Sequence, residues 1–394
     1  MLERKIAADC HDSLLHRRLA DYPAVALVGP RQCGKTTLAR SLGGRYYDME
    51  LDADRLRLDL EWAEMAASED LVVIDEAQAA PEIFPRLRST IDAARRRYGR
   101  FLLLGSIAPS LMKNVSESLA GRLSVVELTP LSWLELNGDC RERLWHRGGF
   151  PDGGVLGGRG FADWQHDYLS LLAQRDLPAW GLPATAYTTR RLFDLLAASH
   201  AQQWNASELG RGLGLSYHTV NAYLDYLEGA FLLRRLPAYH ANARKRLTKR
   251  PKVYWRDSGL LHALWGVNTA ADLLGHPMVG ASWEGHVIDQ VLTALQQAGR
   301  RFSASHLRTV DGREIDLILN IERELWAIGI KLTTNPSRAD MTRLNDTADL
   351  IGAHRRFLVN RGPETASSGT ATVCDLGSMI AYTTEPSADP RNAV

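Results

Sequence analysis

What the 394-residue chain lacks narrows the field first. Its four cysteines, Cys10, Cys33, Cys140 and Cys374, lie far apart with no C-x-x-C pair, so neither a disulfide framework nor a paired-cysteine zinc site organises the fold. No run of about 18 or more apolar residues occurs, which leaves no candidate membrane helix. Met1 to Ala20 carries charges throughout and has no apolar core of the signal-peptide kind; a reducing, cytoplasmic compartment is expected. Charge of one sign is also missing. Lys plus Arg total 47 against 46 Asp plus Glu, a net +1, so a nucleic-acid contact has to come from local clustering of cations. The 12 histidines form no H-E-x-x-H pair, and no fixed-period repeat is visible.

What is present is the composition of an ordinary globular protein, 45% hydrophobic and 24% charged. Short apolar runs at Val25–Val28, Leu71–Ile74, Phe101–Leu104 and Ser124–Leu128 alternate with helical sequence, the pattern of an α/β fold with a buried parallel sheet. The expected division is an α/β core over 1–130, helices over 131–203 with a Gly-rich loop at 148–160, a helix-turn-helix-like block and basic connector over 204–250, a mixed α/β region over 251–385 and a disordered tail over 386–394.

Directly after the first apolar run, Gly29-Pro30-Arg31-Gln32-Cys33-Gly34-Lys35-Thr36 matches G-x-x-x-x-G-K-[ST], with Thr37 following as the chain enters a helix. Glycines let such a loop curl until backbone N–H groups face phosphate oxygens. Lys35 is expected to reach the β- and γ-phosphates of ATP and Thr36 to bind Mg2+ through its hydroxyl. Cys33, beside Lys35 within the loop, reads either as a reactive thiolate or as a small filler. The second apolar run ends in Asp75-Glu76, carboxylates suited to the metal and to the attacking water respectively. The third ends in Gly105-Ser106, where Ser106 either positions that water or serves as a turn serine. Arg122 stands immediately before the fourth run.

These segments, with LVVIDEAQ at 71–78, FLLLGS at 101–106, ESLAGR at 117–122, ELTPLS at 127–132, WNASELGRGLGLS at 204–216, KVYWRDSGLLHAL at 252–264 and ASWEGHVIDQ at 281–290, resemble the prokaryotic AAA-type ATPases that carry a C-terminal domain of unknown function. The resemblance implies an AAA core with a helical lid, a winged-helix module and a restriction-endonuclease-like terminal domain. It also implies a homo-oligomer in which Arg122 reaches into a neighbour's ATP site; the alternative is a salt bridge within its own subunit.

Asn205 to Glu228 reads as helix, Gly-containing turn and second helix, with Ser216 as N-cap and Val220, Leu224 and Leu227 on one face. A wing-like strand follows at Phe231–Leu236. The next stretch concentrates Arg234, Arg235, Arg244, Lys245, Arg246, Lys249, Arg250, Lys252 and Arg256 without an acid. It is either a DNA-backbone contact, a solvated connector or a packing surface for acidic residues. Farther on, Glu284, Asp316 and Lys331 resemble a restriction-type nuclease pattern, but Gly329 replaces the glutamate expected two residues before the lysine; an inactive or binding domain is therefore expected. The sequence predicts an Mg2+-dependent ATPase doing conformational work on DNA. A nucleotide-gated switch with a protein partner and a nuclease with a degraded site are the alternatives.

Overall fold

A computed structural model of the protein describes residues 14–106, 119–239 and 249–385. The expected tail at 386–394, Cys10, and the cations Arg244, Lys245 and Arg246 lie outside the described residues. The chain divides into two compact units, one holding residues up to Leu131 with 179–182 and 224–232, the other the remainder.

The first unit opens with α1 (Leu14–Asp21) and then alternates β1 (Ala24–Val28), α2 (Lys35–Ser41), β2 (Arg45–Asp48), α3 (Asp52–Ala67), β3 (Val72–Asp75), α4 (Ile83–Ala93), β4 (Phe101–Gly105) and β5 (Leu123–Glu127). The strands form one sheet in the order β2-β3-β4-β1-β5, parallel at every pairing. Both faces are covered: Tyr47, Ile74, Phe101 and Leu103 pack with α3 and α4 residues on one side, and Val25, Leu27, Val73, Leu102 and Leu104 with Leu15 and Leu38 on the other. Burial on both faces is why β1, β3 and β4 read as pure apolar runs. β2, with the sequence RYYD, is an edge strand that this signature does not reveal.

The second unit begins with helices α5 (Gly138–Arg147), α6 (Phe161–Leu171) and α7 (Ala186–Ala198). A π-helical turn at Leu172–Asp176 follows directly on α6. The 148–160 segment carries no helix or strand, as its glycines suggest, yet it is closely packed. A Cβ at Gly153 would lie 1.6 Å from the Trp164 ring. Next come α8 (Ala206–Leu213) and α9 (Tyr217–Gly229), the latter grouping with the first unit from residue 224 onward. Gly214 closes α8 in the left-handed conformation, and the Ser216 hydroxyl accepts from the Thr219 N–H to cap α9. The antiparallel pair β6 (Leu233–Leu236) and β7 (Lys252–Trp255) follows.

Three helices, α10 (Ser258–Leu264), α11 (Ala270–Gly275) and α12 (Val279–Gln297), lead into β8 (Phe302–Arg308), β9 (Glu314–Ile321) and β10 (Glu324–Ile330). α13 (Arg338–Asp349), β11 (Arg355–Val359), β12 (Ala366–Ser368), β13 (Ala371–Cys374) and α14 (Leu376–Thr384) end the described chain. Strands β8 to β13 make a mixed sheet in the order β12-β13-β11-β10-β9-β8. The buried side chains of α12, among them Val287, Val291 and Leu295, pack against Leu317, Trp326, Ile328 and Phe357 of its strands.

Candidate nucleotide site

The loop between β1 and α2 is shaped by its backbone. Gln32 and Gly34 have φ values of 60° and 100°, turns of the kind that aim successive N–H groups into a concavity suited to anions. Gly29 has no room for a side chain, since a Cβ there would meet the Leu128 carbonyl oxygen at 2.1 Å. Cys33 is fully buried and its Sγ donates to that same carbonyl at 3.3 Å, so the filler reading fits its place and the exposed-thiolate reading does not. Arg31 pairs with Glu50 at 2.7 Å, while Gln32 and Thr37 are exposed. Lys35 is buried, its Nζ donating at 2.9 Å to the carbonyls of both Gly29 and Pro30.

Side chains distant in sequence converge on this loop. Asp75, at the end of β3, accepts through Oδ2 from Thr36 Oγ1 at 2.7 Å and from Tyr46 Oη at 2.5 Å. Its Oδ1 accepts from the Glu76 N–H at 2.9 Å. Glu76 is left-handed, φ 46° and ψ 46°, an uncommon conformation for a side chain of its size and one that clusters at functional sites. Its Oε1 accepts from Ser106 Oγ at 2.7 Å and its Oε2 from Gln78 Nε2. Loop, carboxylate pair and Ser106 thus meet at the C-terminal ends of β1, β3 and β4, where ligands of open α/β sheets are held. A hydroxyl and a carboxylate are hard oxygen donors of the type magnesium takes, and a loop turned inward by the backbone of Gln32 and Gly34 suits a phosphate chain, so these residues fit Mg-ATP. Tyr46 belongs to no motif, and nothing in the sequence marks it as a site residue. Burial and the Asp75 carboxylate raise its phenol above the ordinary range.

Arg122 is not in this group. Its Nε and one Nη donate to the two carboxylate oxygens of Asp92 at 2.8 Å each, and the other Nη donates to the Ala120 carbonyl at 2.9 Å. That is the within-subunit salt bridge of the two alternatives.

Three of the connector cations, Arg234, Lys252 and Arg256, pair with carboxylates of the second unit. Arg234 reaches Asp289 at 3.1 Å and Arg256 reaches it at 3.5 Å. Lys252 is buried and donates to Glu284 at 2.9 Å. Arg235 lies opposite Val253 in the β6–β7 pair, and Lys249 and Arg250 are exposed.

Glu284 accepts a second bond, from Tyr254 Oη at 2.6 Å. Burial and then the nearby Asp316 push its carboxyl upward, with Lys252 opposing. Burial lowers the Lys252 ammonium, but Glu284 and Asp316 outweigh it and the net shift is upward. Asp316 also accepts from the Ile330 N–H at 2.7 Å. Glu284 and Asp316 therefore belong to one cluster, as the nuclease-like pattern requires, but the lysine inside it is Lys252. Lys331 is exposed and acts electrostatically on Asp340. No spacing rule links Lys252 to Glu284, and in the sequence it counts only as one of the connector cations.

Family models match three consecutive stretches of the chain. A family model described as an AAA domain matches residues 21–137. Two domains of unknown function follow, DUF8612 over 139–271 and DUF4143 over 279–379. Uncharacterized proteins of Mycobacterium bovis and Mycobacterium tuberculosis are each 38% identical over 342 residues, covering 86% of this chain and 76% of the relative. Among solved structures, a variant of RuvB from Thermotoga maritima aligns at 16% identity over 55% of this chain and 82% of that one, with a TM-score of 0.23. A STAND-type signal transduction ATPase from Pyrococcus horikoshii aligns at 12% identity over 70% and 45%, with a TM-score of 0.26. At those scores neither bears on what this chain does.

Proposed function

Because the chain belongs to the prokaryotic AAA-type ATPases that join an AAA domain to a C-terminal DUF4143 domain, we propose that it binds ATP with magnesium and hydrolyses it. One observation carries the reading: Thr36 of the loop is bonded to Asp75, while the adjacent Glu76 is held by Ser106, so phosphate cradle, metal donors and a base candidate occupy one sheet edge. Lys35 exchanges its two carbonyl partners for phosphate oxygens. Magnesium, when bound at Thr36 and Asp75, neutralises charge on the β- and γ-phosphates. Glu76 takes the proton of the attacking water, and Ser106 fixes the carboxylate that does so. The adjacent carboxylates support hydrolysis over simple nucleotide storage.

The work is delivered, in our reading, to nucleic acid through Arg244, Lys245, Arg246, Lys249 and Arg250, by a homo-oligomer. A second reading, a nucleotide-gated switch that engages a protein, is favoured by the pairing of Arg234, Lys252 and Arg256 with carboxylates of their own chain. Steady-state ATPase measured with and without duplex and single-stranded DNA separates them. Stimulation by DNA supports the first, and turnover indifferent to DNA supports the second. Absence of ATP turnover with Lys35→Ala indistinguishable from wild type would overturn both. A nuclease is the least supported use of Glu284 and Asp316, because Gly329 supplies no ligand and the Glu284 carboxylate is already engaged by Lys252 and Tyr254.

A further inference from the structure

We propose that the Tyr46 hydroxyl is a positioning group for the magnesium-binding carboxylate, an assignment that rests on the nucleotide function proposed above. Asp75 is fixed from three directions. Its Oδ1 receives the Glu76 backbone N–H at 2.9 Å, and its Oδ2 receives Thr36 Oγ1 at 2.7 Å and Tyr46 Oη at 2.5 Å. Thr36 is itself a proposed metal donor, so its hydroxyl has a second obligation. Tyr46 is the side-chain donor whose role toward Asp75 is purely orienting. Hydrogen bonds to a ligating carboxylate set its direction and basicity toward the metal.

Tyr46 is well held for that task. β2 pairs with β3 in parallel register, Tyr46 opposite Val73 and Asp48 opposite Asp75, which brings the ring alongside the strand that ends at the site. The Arg40 guanidinium lies over the ring at 4.5 Å, and Arg57 donates to the Tyr46 carbonyl. The next residue supplies an internal control. Tyr47 points to the opposite face of the sheet, is buried among core residues, and donates its hydroxyl to Glu61 at 2.6 Å. If tyrosine hydroxyls in β2 only anchor an edge strand, Tyr46 and Tyr47 are equivalent. If Tyr46 orients Asp75, they are not.

The test uses the full chain and a fluorescent ATP analogue, whose binding is titrated with magnesium and repeated in EDTA. Tyr46→Phe keeps the ring and its contact with Arg40 and removes one oxygen. The magnesium concentration for half-maximal binding is expected to rise by about 10- to 100-fold, the usual effect of losing an outer-shell partner. Affinity in EDTA stays at the wild-type value, and Tyr47→Phe keeps the wild-type magnesium dependence. A Tyr46→Phe protein with the wild-type magnesium midpoint overturns the assignment while the nucleotide function stands, as does an equal shift in both variants. Wild-type protein that fails to bind the analogue, with Lys35→Ala no different, overturns the parent reading and this one with it.

Discussion

The structure surrounds Glu76 and Arg122, two candidate catalytic residues outside the phosphate loop's own motif, in different ways. The Glu76 carboxylate sits beside Asp75 and is oriented by Ser106 and Gln78. Glu76→Gln preserves shape and removes the base, so ATP should remain bound while hydrolysis falls by about 100- to 10,000-fold. Rapid-quench turnover beside nucleotide-binding titration checks this, and wild-type turnover in the variant would show that another group activates water. Lys35→Ala, by contrast, is expected to lose binding itself. For Arg122, three donors are engaged on Asp92 and the Ala120 carbonyl, so action on a neighbour would first require breaking them. With that geometry we expect Arg122→Ala and Asp92→Asn to leave turnover per molecule unchanged across protein concentration. Loss of hydrolysis in the first, with a gain in the second that grows with concentration, would establish a finger held in reserve. Lys35 and Thr36 are legible because the phosphate loop fixes their spacing, and Asp75 and Glu76 because two carboxylates directly follow a buried apolar run. Tyr46, and Lys252 beside Glu284, are not legible, since lateral strand neighbours and tertiary ion pairs leave no regular interval in sequence.

Asp257 shows how an element's end can set a pH response. Its Oδ1 caps α10 by accepting from the Leu260 N–H at 2.9 Å, and its Oδ2 accepts from the Gly149 N–H at 2.7 Å, tying the Gly-rich segment to the helix. Burial pushes the carboxyl up to about 6 from 3.8, against those two backbone donors. Between these values the folded chain holds the proton more tightly than the unfolded chain, so this group's contribution to stability is lost as pH rises from 3.8 to about 6. Thermal melting of wild type and Asp257→Asn over that interval isolates it. The wild-type advantage should be largest at the acid end and narrow toward neutrality; parallel profiles would refute the assignment. Elements themselves are unequally readable. β1, β3 and β4 are plain because both faces are buried, and α8 and α9 because Gly214 and Ser216 punctuate them. β2 escapes notice because an edge strand bearing polar ends offers no apolar run, although Gly43 and Gly44 mark the turn before it.

At the scale of the whole molecule, a net charge of +1 conceals an uneven distribution in which Arg234, Lys252 and Arg256 are taken up by Asp289 and Glu284. Any nucleic-acid affinity of the connector then falls to its other cations. Replacing Arg244, Lys245 and Arg246 by Ser should weaken binding to all duplex sequences alike and lower the slope of log K against log salt by about 0.9 for each phosphate no longer neutralised. Fluorescence anisotropy at two salt concentrations reads this, and an unchanged variant moves the protein-partner reading ahead. The resting position of Lys35 bears on how the proposed cycle resets. Stranding a buried cation without partners costs about 3–5 kcal/mol, a penalty that would make an emptied site cling to its products. The Gly29 and Pro30 carbonyls, each 2.9 Å from the ammonium, give the charge somewhere to return to. On the proposed cycle, departure of products would exchange one set of oxygens for another, so that a loop gripping the nucleotide would also be built to let it go.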